Sequence, residues 1–206
     1  MDIFTRYRQI IHGTTKPVVV EIGAADGQDT ERLHLPLVNT GREWRLLAFE
    51  CEKGNFAAFK KRDIQGVEFF ELAVSDQCGP AKFTGSGTWP YSGSLKEPVN
   101  HRVSHSWIPF QPPVEVMCTT LDSIFSSCRL DHIDFLWCDV QGAEDLVVAG
   151  GQTALARTRW IWVEIYESEE YAGHIGREEF QRRLPGNWEV VEIQSTDILF
   201  HNLDFP

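Results

Sequence analysis

The chain alternates between two spacings of apolar residues. Short continuous runs, rich in β-branched side chains, indicate strands buried on both faces, as in a parallel sheet. Apolar residues three or four positions apart indicate helices between these runs. The runs that predict strands are residues 18–22, 44–49, 67–74, 114–118, 133–138, 159–165, 188–194 and 198–201. The helical spacings fall at residues 3–11, 29–38, 56–60, 142–156 and 177–184, with a further helix opening at residue 120.

This order of elements predicts an α/β fold with a mostly parallel sheet. A tight turn at residues 195–197 joins the last two strands, so one of them must run antiparallel to its neighbour. Pro36 lies inside the second helical segment, where we expect it to break or restart the helix. We expect residues 1–206 to form a single domain, because this length suits one hydrophobic core.

Regular spacing fades between residues 79 and 113, where Gly, Ser, Pro, Trp and His dominate. A loop this long inside a domain is usually functional or disordered. Four aromatic residues argue against disorder: Trp89, Tyr91, Trp107 and Phe110. We therefore interpret residues 85–113 as a substrate loop or lid, with a short hairpin near residues 81–84. The aromatic side chains suit stacking on a sugar or packing in the core, and both alternatives stay open.

Composition and charge limit the classes of molecule that the protein is expected to bind. The 206 residues carry a net charge of −11, with a pI of about 5.0, which disfavours binding to nucleic acid. No apolar run approaches the roughly 18 residues of a membrane span, and the N-terminal residues lack a secretory pattern. The five cysteines show no CxxC spacing, so neither a zinc site nor a disulfide framework is predicted. The expected location is a reducing cytoplasm.

Acidic residues close four of the predicted strands. They are Glu21, Glu50, Asp139 and Glu164. Ligands of an open α/β sheet bind beyond the carboxyl ends of its strands, so we expect these side chains to meet at one site. A dinucleotide needs glycines at the first, third and sixth positions of the first turn. Here Gly23 is followed by Ala25 and Gln28 at the last two, so that cofactor is disfavoured.

S-Adenosylmethionine suits the same residues better, because it has no phosphate and carries a sulfonium, an ammonium and a ribose diol. The carboxylate of Glu50 is able to accept hydrogen bonds from both ribose hydroxyls. Glu21 and Asp26 supply negative potential beside the cationic methionyl end, and Gly23 lets the backbone approach the cofactor closely. The first strand and its turn therefore predict a site for a cationic cofactor.

Residues 21–27, Glu-x-Gly-x-x-x-Gly, resemble motif I of class I methyltransferases. A more specific resemblance, to the FkbM family, extends over residues 17–201 and is carried by LLAFECEKGNFAAFKK, FFELAVSD, TTLDSIF and IDFLWCDVQGAEDLVVAGGQTAL, followed by WIWVEIYE. The resemblance implies a three-layer α-β-α, Rossmann-like fold with a seven-stranded, mostly parallel sheet and an antiparallel C-terminal strand. It also implies S-adenosylmethionine-dependent O-methylation of a sugar, glycan or other hydroxylated small molecule.

The same resemblance assigns residues to the cofactor, position by position. They are Glu21, Gly23, Ala24, Asp26, Glu50, Cys51, Ala73, Val74, Asp139 and Gln141. Two positions depart from the pattern of many relatives, because Trp137 stands where they have lysine and Gln141 where they have glutamate. We expect both departures to leave cofactor binding intact and to leave the choice of general base open.

An alcohol needs a group that takes its proton before it attacks a methyl carbon well. The candidates at the strand ends and in the long loop are Asp139, Glu164, Glu144, His105 and His101. Glu144 is equally explained as a first-turn acid favoured by the helix dipole, and a loop histidine as a solvated side chain. The carboxylates suit a divalent cation, but their spacing does not predict one, so we predict no metal.

Two other functions compete with a methyltransferase. One is a non-catalytic interaction module that keeps the fold and the cofactor, although four strand-end acids argue against a domain without a ligand. The other is a nucleotide-sugar oxidoreductase, which the failed dinucleotide pattern disfavours. The oligomeric state stays open, with a homodimer among the alternatives.

Overall fold

The computed structural model describes residues 2–205, which contain two β-sheets. The strands are β1 (Val18–Ile22), β2 (Arg45–Phe49), β3 (Glu68–Phe70), β4 (Ala73–Val74), β5 (Gly79–Phe83), β6 (Val114–Thr119), β7 (Ile133–Cys138), β8 (Thr158–Glu164), β9 (Trp188–Gln194) and β10 (Asp197–Asn202). The larger sheet has the order β3-β2-β1-β7-β8-β10-β9. Its strands are parallel from β3 to β8, whereas β10 runs antiparallel to both β8 and β9. The predicted seven-stranded sheet with an antiparallel C-terminal strand is confirmed.

Helices cover both faces of this sheet. They are α1 (Ile3–His12), α2 (Gln28–Asn39), α3 (Lys53–Arg62), α4 (His101–Ser104), α5 (Leu121–Ser127), α6 (Glu144–Ala149), α7 (Gln152–Leu155) and α8 (Arg177–Arg183). Side chains of β7 alternate between the faces. Phe135 and Trp137 pack with α1 and α2, whereas Leu136 and Cys138 pack with α5 to α8. Helices on both sides of a sheet give the expected three-layer architecture.

Local sequence explains where several elements begin and end. The carboxylate of Asp2 accepts a hydrogen bond from the Thr5 backbone N–H at 3.1 Å, which caps α1, and Gly13 ends that helix. Thr120 caps α5 in the same way through the Ser123 N–H at 3.0 Å. These contacts satisfy backbone N–H groups that a helix cannot pair internally.

The predicted strand at residues 67–74 is wrong as a single element. Its first part is β3, which pairs with β2 in the large sheet, and its last part is β4, which pairs with β6 in the smaller sheet. The apolar run does not reveal this transfer, because both halves are apolar. At the hairpin expected near residues 81–84, β5 pairs antiparallel with the distant β6, and Thr84 forms an isolated antiparallel bridge with Ser94.

Two helix predictions need correction as well. Pro36 does not break α2, because Leu33 and Leu37 on either side are fully buried and hold the helix against the sheet. The predicted helix at residues 142–156 is two helices, α6 and α7, separated at Gly150. A Cβ added to Gly150 would lie 2.1 Å from the carbonyl oxygen of Ser75, so the chain passes too close to that loop for another residue.

Chain order reverses at β1, and this reversal locates the site. From β1 the chain builds β2 and β3 on one side of the sheet, whereas β7 and β8 lie on the other. Such a switch point leaves a crevice beyond the carboxyl ends of the strands, where ligands of doubly wound sheets bind. Within residues 2–205, no helix is long and apolar enough to cross a membrane.

Candidate active site

A cleft opens beyond the carboxyl ends of β1, β2 and β7, with an empty volume of about 760 Å³ that includes solvent at its mouth. Nine of the ten residues predicted to bind the cofactor line the cleft: Gly23, Ala24, Asp26, Glu50, Cys51, Ala73, Val74, Asp139 and Gln141. We call residues 22–29, 49–51 and 139–141, which form its floor and one side, the strand-end wall.

Gly23 sits where two loops of the strand-end wall touch. Its φ of +87° belongs to the left-handed region that favours glycine, and an added Cβ would lie 1.8 Å from the carbonyl oxygen of Asp139. The backbone N–H groups of Gly23 and Ala24 both donate to the Phe49 carbonyl at 3.0 Å. The turn after β1 is therefore fixed against the ends of both neighbouring strands, β2 and β7.

The carboxylate of Glu50 is held at the end of β2 by backbone donors. Oε2 accepts from the Ala25 N–H at 2.8 Å and Oε1 from the Glu52 N–H at 2.6 Å. Each oxygen keeps a further lone pair for a ligand in the cleft. Burial raises the pKa of Glu50 to about 8, although the backbone hydrogen bonds oppose this shift.

Glu21 lies outside the cleft lining, fully buried beneath the turn after β1. Its Oε2 accepts a hydrogen bond of 2.5 Å from the Thr30 hydroxyl on α2, whereas Oε1 has no hydrogen-bond partner. Burial, together with the charges of Asp29 and Glu50, raises the pKa of Glu21 to about 8, although the Thr30 hydrogen bond opposes this shift. The structure thus places this acid behind the strand-end wall, with one buried oxygen unpaired.

Two acids of the first turn are already paired with arginines. Asp26 forms an ion pair of 2.6 Å with Arg62 of α3. Asp29, which the sequence analysis did not single out, also lines the cleft and lies 2.9 Å from Arg32. Burial raises the pKa of Asp29, and Arg32 opposes the shift.

Within residues 2–205, the lining of the cleft contains acidic side chains and no basic ones. Four carboxylates line it: Asp26, Asp29, Glu50 and Asp139. Among the described residues that form the lining, none is a lysine, arginine or histidine. A pyrophosphate placed here would meet carboxylates and no cationic side chain in the wall, whereas a cation would be stabilised. The residues present therefore fit a cationic cofactor without phosphates.

Gln141 joins the catalytic candidates at the ends of β7 and β8. Its side-chain Nε2 donates to Asp139 at 2.7 Å and to Glu164 at 2.6 Å, so one amide bridges two carboxylates. Glu164 also accepts hydrogen bonds from Tyr166 at 3.0 Å and Thr196 at 3.2 Å, and it lies outside the cleft lining. Burial, and then the charge of Glu164, raise the pKa of Asp139 well above its usual range.

Glu144 lies outside the cleft lining and holds a turn. Its Oε1 accepts hydrogen bonds from the backbone N–H groups of Val140 at 3.3 Å and Gly142 at 3.2 Å. Burial raises the pKa of Glu144 to about 8. The side chain thus positions the loop that carries Asp139 and Gln141, in addition to its place in the first turn of α6.

Part of the long loop forms the opposite side of the cleft. Residues 90–91 and 93–95 line it. The side chain of Asn55 on α3 donates to the Pro90 carbonyl at 3.0 Å, and Lys96 forms an ion pair of 2.6 Å with Asp145. We call residues 85–113, together with residues 165–174 that pack behind them, the loop wall.

Tyr171 connects the two walls. Its hydroxyl lies 3.0 Å from the Ser92 carbonyl oxygen and 3.1 Å from the Gln141 side-chain oxygen, and these two acceptors share its single proton. Its ring stacks on His101 with a centroid distance of 5.1 Å. Because Gln141 also bonds Asp139, a chain of direct contacts runs from the acid at the end of β7 to the histidine of α4.

His101 and His105 lie in the loop wall, outside the cleft lining, with Glu170 beside them. Burial and the neighbouring His105 lower the pKa of His101. Burial opposes ionisation of Glu170, yet hydrogen bonds from Ser168 and Ser104 and the two histidines lower its pKa. Glu170 is therefore a carboxylate at neutral pH beside an uncharged His101.

Three aromatic side chains of the loop wall reach solvent at the mouth of the cleft. Trp89, Tyr91 and Trp107 are 39%, 38% and 58% exposed. The ring of Trp89 makes edge contacts with Tyr91 at 5.2 Å and Trp107 at 4.8 Å between centroids. Tyr91 also lines the cleft, so this exposed cluster is continuous with it.

Comparisons with known proteins identify the family of the chain. The sequence model of the Methyltransferase FkbM domain matches residues 21–189. The chain belongs to the FkbM methyltransferase family. It is 35% identical over 197 residues to the 2-O-methyltransferase NoeI of Sinorhizobium fredii (strain NBRC 101917 / NGR234), which covers 90% of this chain and 78% of that protein. Membership makes the chain an S-adenosylmethionine-dependent methyltransferase.

A solved structure, the METTL16 MTase domain, shares the fold with a TM-score of 0.54 at 11% sequence identity, covering 100% of this chain and 67% of that one. At this identity the likeness supports the class I methyltransferase architecture alone. The family also implies S-adenosylmethionine as the cofactor, which agrees with a cleft lined by carboxylates.

One departure from the FkbM pattern has a simple packing reason. The ring of Trp137 stacks on Trp162 at 3.7 Å and on Phe4 of α1 at 5.1 Å, measured between centroids. It is 3% exposed and points away from the cleft. A lysine there would be buried among aromatic rings, so the tryptophan belongs to the core beneath α1.

Sequence reasoning missed the residues that link the walls, Tyr171, Ser92 and Glu170. They come from irregular segments, and no periodicity or strand end marks them. Asp29 had a signal, because it stands in the first turn of the helix after Gly23, where an acid faces the ligand edge of the sheet. Thr30, the partner of Glu21, follows it directly.

Proposed function

We propose that this chain transfers a methyl group from S-adenosylmethionine to a hydroxyl oxygen of a sugar, glycan or other hydroxylated small molecule. One observation carries the cofactor: the described lining of the cleft contains four carboxylates and no cationic side chain. The relative NoeI is named a 2-O-methyltransferase, which supports oxygen as the methylated atom. The choice of a sugar rests on the FkbM resemblance and on the exposed aromatic cluster.

The strand-end wall holds the cofactor. Glu50 receives the ribose hydroxyls, and Gly23 and Ala24 lie against the methionyl end. Ala73, Val74 and Cys51 contact the adenine side. Glu21 acts from behind the wall, where its buried unpaired oxygen adds negative potential. When bound, the cofactor supplies an electrophilic methyl carbon, and the chain supplies its orientation.

Asp139 is the residue that takes the proton from the acceptor hydroxyl. It lines the cleft, and its raised pKa makes it a stronger base once it is ionised. The side-chain amide of Gln141 donates hydrogen bonds to the carboxyl groups of both Asp139 and Glu164, and it thereby orients Asp139. Glu164, Glu144 and His105 act through the residues they touch, because they lie outside the lining.

The loop wall binds the acceptor. We propose that residues 85–113 form the substrate loop of a single domain, residues 1–206. Trp89 and Trp107 offer flat apolar faces beside Tyr91, and the polar edges of aromatic side chains suit a hydroxylated ligand. Contacts of Asn55 and Lys96 attach the loop to α3 and α6, so this side of the cleft is already ordered before the acceptor binds.

Calorimetric titration with S-adenosylmethionine, S-adenosylhomocysteine and NAD tests the cofactor. We expect the first two to bind one per chain and NAD to show no binding. Binding of NAD alone would contradict the proposal. A panel of glycans and hydroxylated metabolites, assayed for S-adenosylhomocysteine release, then tests the reaction. Cofactor binding without turnover over the whole panel would favour a non-catalytic module with the same fold.

A further inference from the structure

His101, His105 and Glu170 bring three metal-ligating side chains together inside the loop wall. His105 follows His101 by four residues at the end of α4, and the two imidazole rings stack with their centroids 4.2 Å apart. Glu170 reaches them from the segment after β8. One ligand atom from each residue lies within 4.8 Å of the other two. None of the three lines the cleft.

We propose that these three side chains bind one divalent transition-metal ion of the zinc type. Two imidazole nitrogens and one carboxylate oxygen form a donor set typical of zinc and its first-row neighbours. Magnesium and calcium prefer sites made of oxygen ligands alone. The sequence predicts no metal, because neither the cysteines nor the strand-end acids have a metal-binding spacing.

The distances suit such an ion. Metal–ligand bonds of about 2.0–2.1 Å in a tetrahedral site place neighbouring ligand atoms about 3.3 Å apart. Nδ1 of His101 lies 3.5 Å from Oε2 of Glu170, close to that value. The largest separation in the cluster is up to 4.8 Å, so binding of the ion would require the half-buried His105 ring to rotate from its stack on His101.

A second observation points to a ligand at this place. His101 is 3% exposed, and its Nδ1 has no hydrogen-bond partner although it faces Glu170. Its other nitrogen, Nε2, contacts the Ser92 hydroxyl at 3.2 Å. A ligating histidine is commonly oriented in this way, by a partner on the nitrogen that does not bind the metal.

The carboxylate is oriented as well. The Ser168 hydroxyl donates to Oε1 of Glu170 at 2.8 Å, which leaves Oε2 directed at the histidines. Ser104 lies between the ligands, with its hydroxyl 3.0 Å from Oε2 of Glu170 and 2.9 Å from Nδ1 of His105. The Ser104 hydroxyl also donates to the Asn100 carbonyl at 3.1 Å. It would keep this hydrogen bond if a metal replaced its contacts with Glu170 and His105.

The ion would connect the two segments of the loop wall. They already touch through a bridge between Pro98 and Tyr171 and a hydrogen bond of 2.9 Å from the Val99 N–H to the Glu170 carbonyl. A metal bound to both segments would fix Tyr171, whose hydroxyl reaches Gln141. The proposal does not depend on methyl transfer, since it concerns binding of the ion itself.

Zinc binding by the tag-free full chain tests this site. The protein is stripped with a chelator, and zinc is then titrated against a chromophoric competitor. We expect one ion per chain at this site in the wild type and a rise of the unfolding temperature on zinc addition. His105→Ala and Glu170→Gln should each weaken zinc binding at least about tenfold. His12→Ala, at an exposed position on α1, is the matched control and should bind zinc as the wild type does.

Two readouts separate this site from other modes of binding. Cobalt bound by nitrogen and oxygen should show tetrahedral visible bands without thiolate charge-transfer absorption, and excess magnesium should not displace zinc. Circular dichroism confirms that each variant is folded, and His105→Ala carries the test if Glu170→Gln unfolds. The proposal is wrong if the wild type binds no zinc, or if folded His105→Ala binds it as tightly as the wild type.

Discussion

The two walls of the cleft are built in different ways. In the strand-end wall, Glu50 is held by the backbone of Ala25 and Glu52, and Gly23 is held by Phe49. In the loop wall, Tyr171 is bonded to Ser92, a residue far away in sequence. Rigid strands place the first set, whereas side-chain contacts between irregular segments place the second.

This difference indicates that the two walls bind different ligands. A wall fixed by regular structure suits the cofactor, whose shape is the same for every acceptor. A wall built from a long loop tolerates changes in shape, so it suits the acceptor. We therefore expect changes in the strand-end wall to alter cofactor affinity, and changes in the loop wall to alter turnover or acceptor binding.

The largest effect is expected from Gly23→Ala. The left-handed backbone at Gly23 costs an alanine about 1–2 kcal/mol, and the new Cβ would meet the Asp139 carbonyl at 1.8 Å. We expect affinity for S-adenosylmethionine to fall more than about 100-fold, equivalent to about 2.8 kcal/mol. Calorimetry on the folded variant measures this.

Gly54→Ala is the matched control for that change. Gly54 lies in α3, and a Cβ added there has no neighbour within 4 Å. Alanine should stabilise the helix by about 0.5–1 kcal/mol and leave the affinity unchanged. Normal cofactor affinity of Gly23→Ala would show that the turn after β1 is not part of the cofactor site.

Glu50→Gln is expected to have the next largest effect. The amide keeps the shape of the side chain but cannot ionise, and hydrogen bonds to the ionised carboxylate contribute about 1.5–3 kcal/mol. Affinity for both S-adenosylmethionine and S-adenosylhomocysteine should fall by about 10- to 100-fold. The exposed Glu71→Gln serves as control. Equal affinities of the two variants would remove Glu50 from the site.

Tyr171→Phe probes the connection between the walls. We expect kcat to fall about tenfold, because the Gln141 side chain loses one of its partners, while cofactor affinity stays within about threefold. Tyr7→Phe is the control, since the Tyr7 hydroxyl also makes a buried hydrogen bond, 2.8 Å to the Leu33 carbonyl. Each variant should lose about 1 kcal/mol of stability. A loss of turnover in both would indicate a general effect of stability.

Trp107→Ala should have the smallest effect. Removing one exposed aromatic face is expected to raise KM for the acceptor about three- to tenfold, without a change in cofactor affinity. Leu35→Ala removes an apolar side chain that is 60% exposed on α2, and it should leave KM unchanged. An unchanged KM in Trp107→Ala would place the acceptor elsewhere.

The two walls also differ in how far the sequence predicts them. Glu50 and Asp139 could be assigned to one site because parallel strands bring the residues that follow them to the same edge. The connection from Gln141 to Tyr171 could not, since it depends on how two loops pack. Packing also explains why the helix prediction for residues 142–156 is wrong. The apolar spacing predicts one helix, but the close approach of Ser75 at Gly150 divides it into two.

The pH dependence of cofactor binding tests the central claim, that the buried acids Glu21 and Glu50 stabilise the bound sulfonium cation. Burial holds the pKa of Glu21 and of Glu50 at about 8. Both acids are therefore protonated and neutral at lower pH, and a bound cation favours their ionised forms. S-Adenosylhomocysteine is the reference ligand, because it has the same ammonium group and lacks the sulfonium charge.

Calorimetric titrations of both ligands between pH 6.5 and pH 8.5 give the deciding ratio of affinities. As pH rises through about 8, the acids ionise, and preference for S-adenosylmethionine over S-adenosylhomocysteine should increase at least about threefold. A ratio that stays constant or falls over this range would contradict the account.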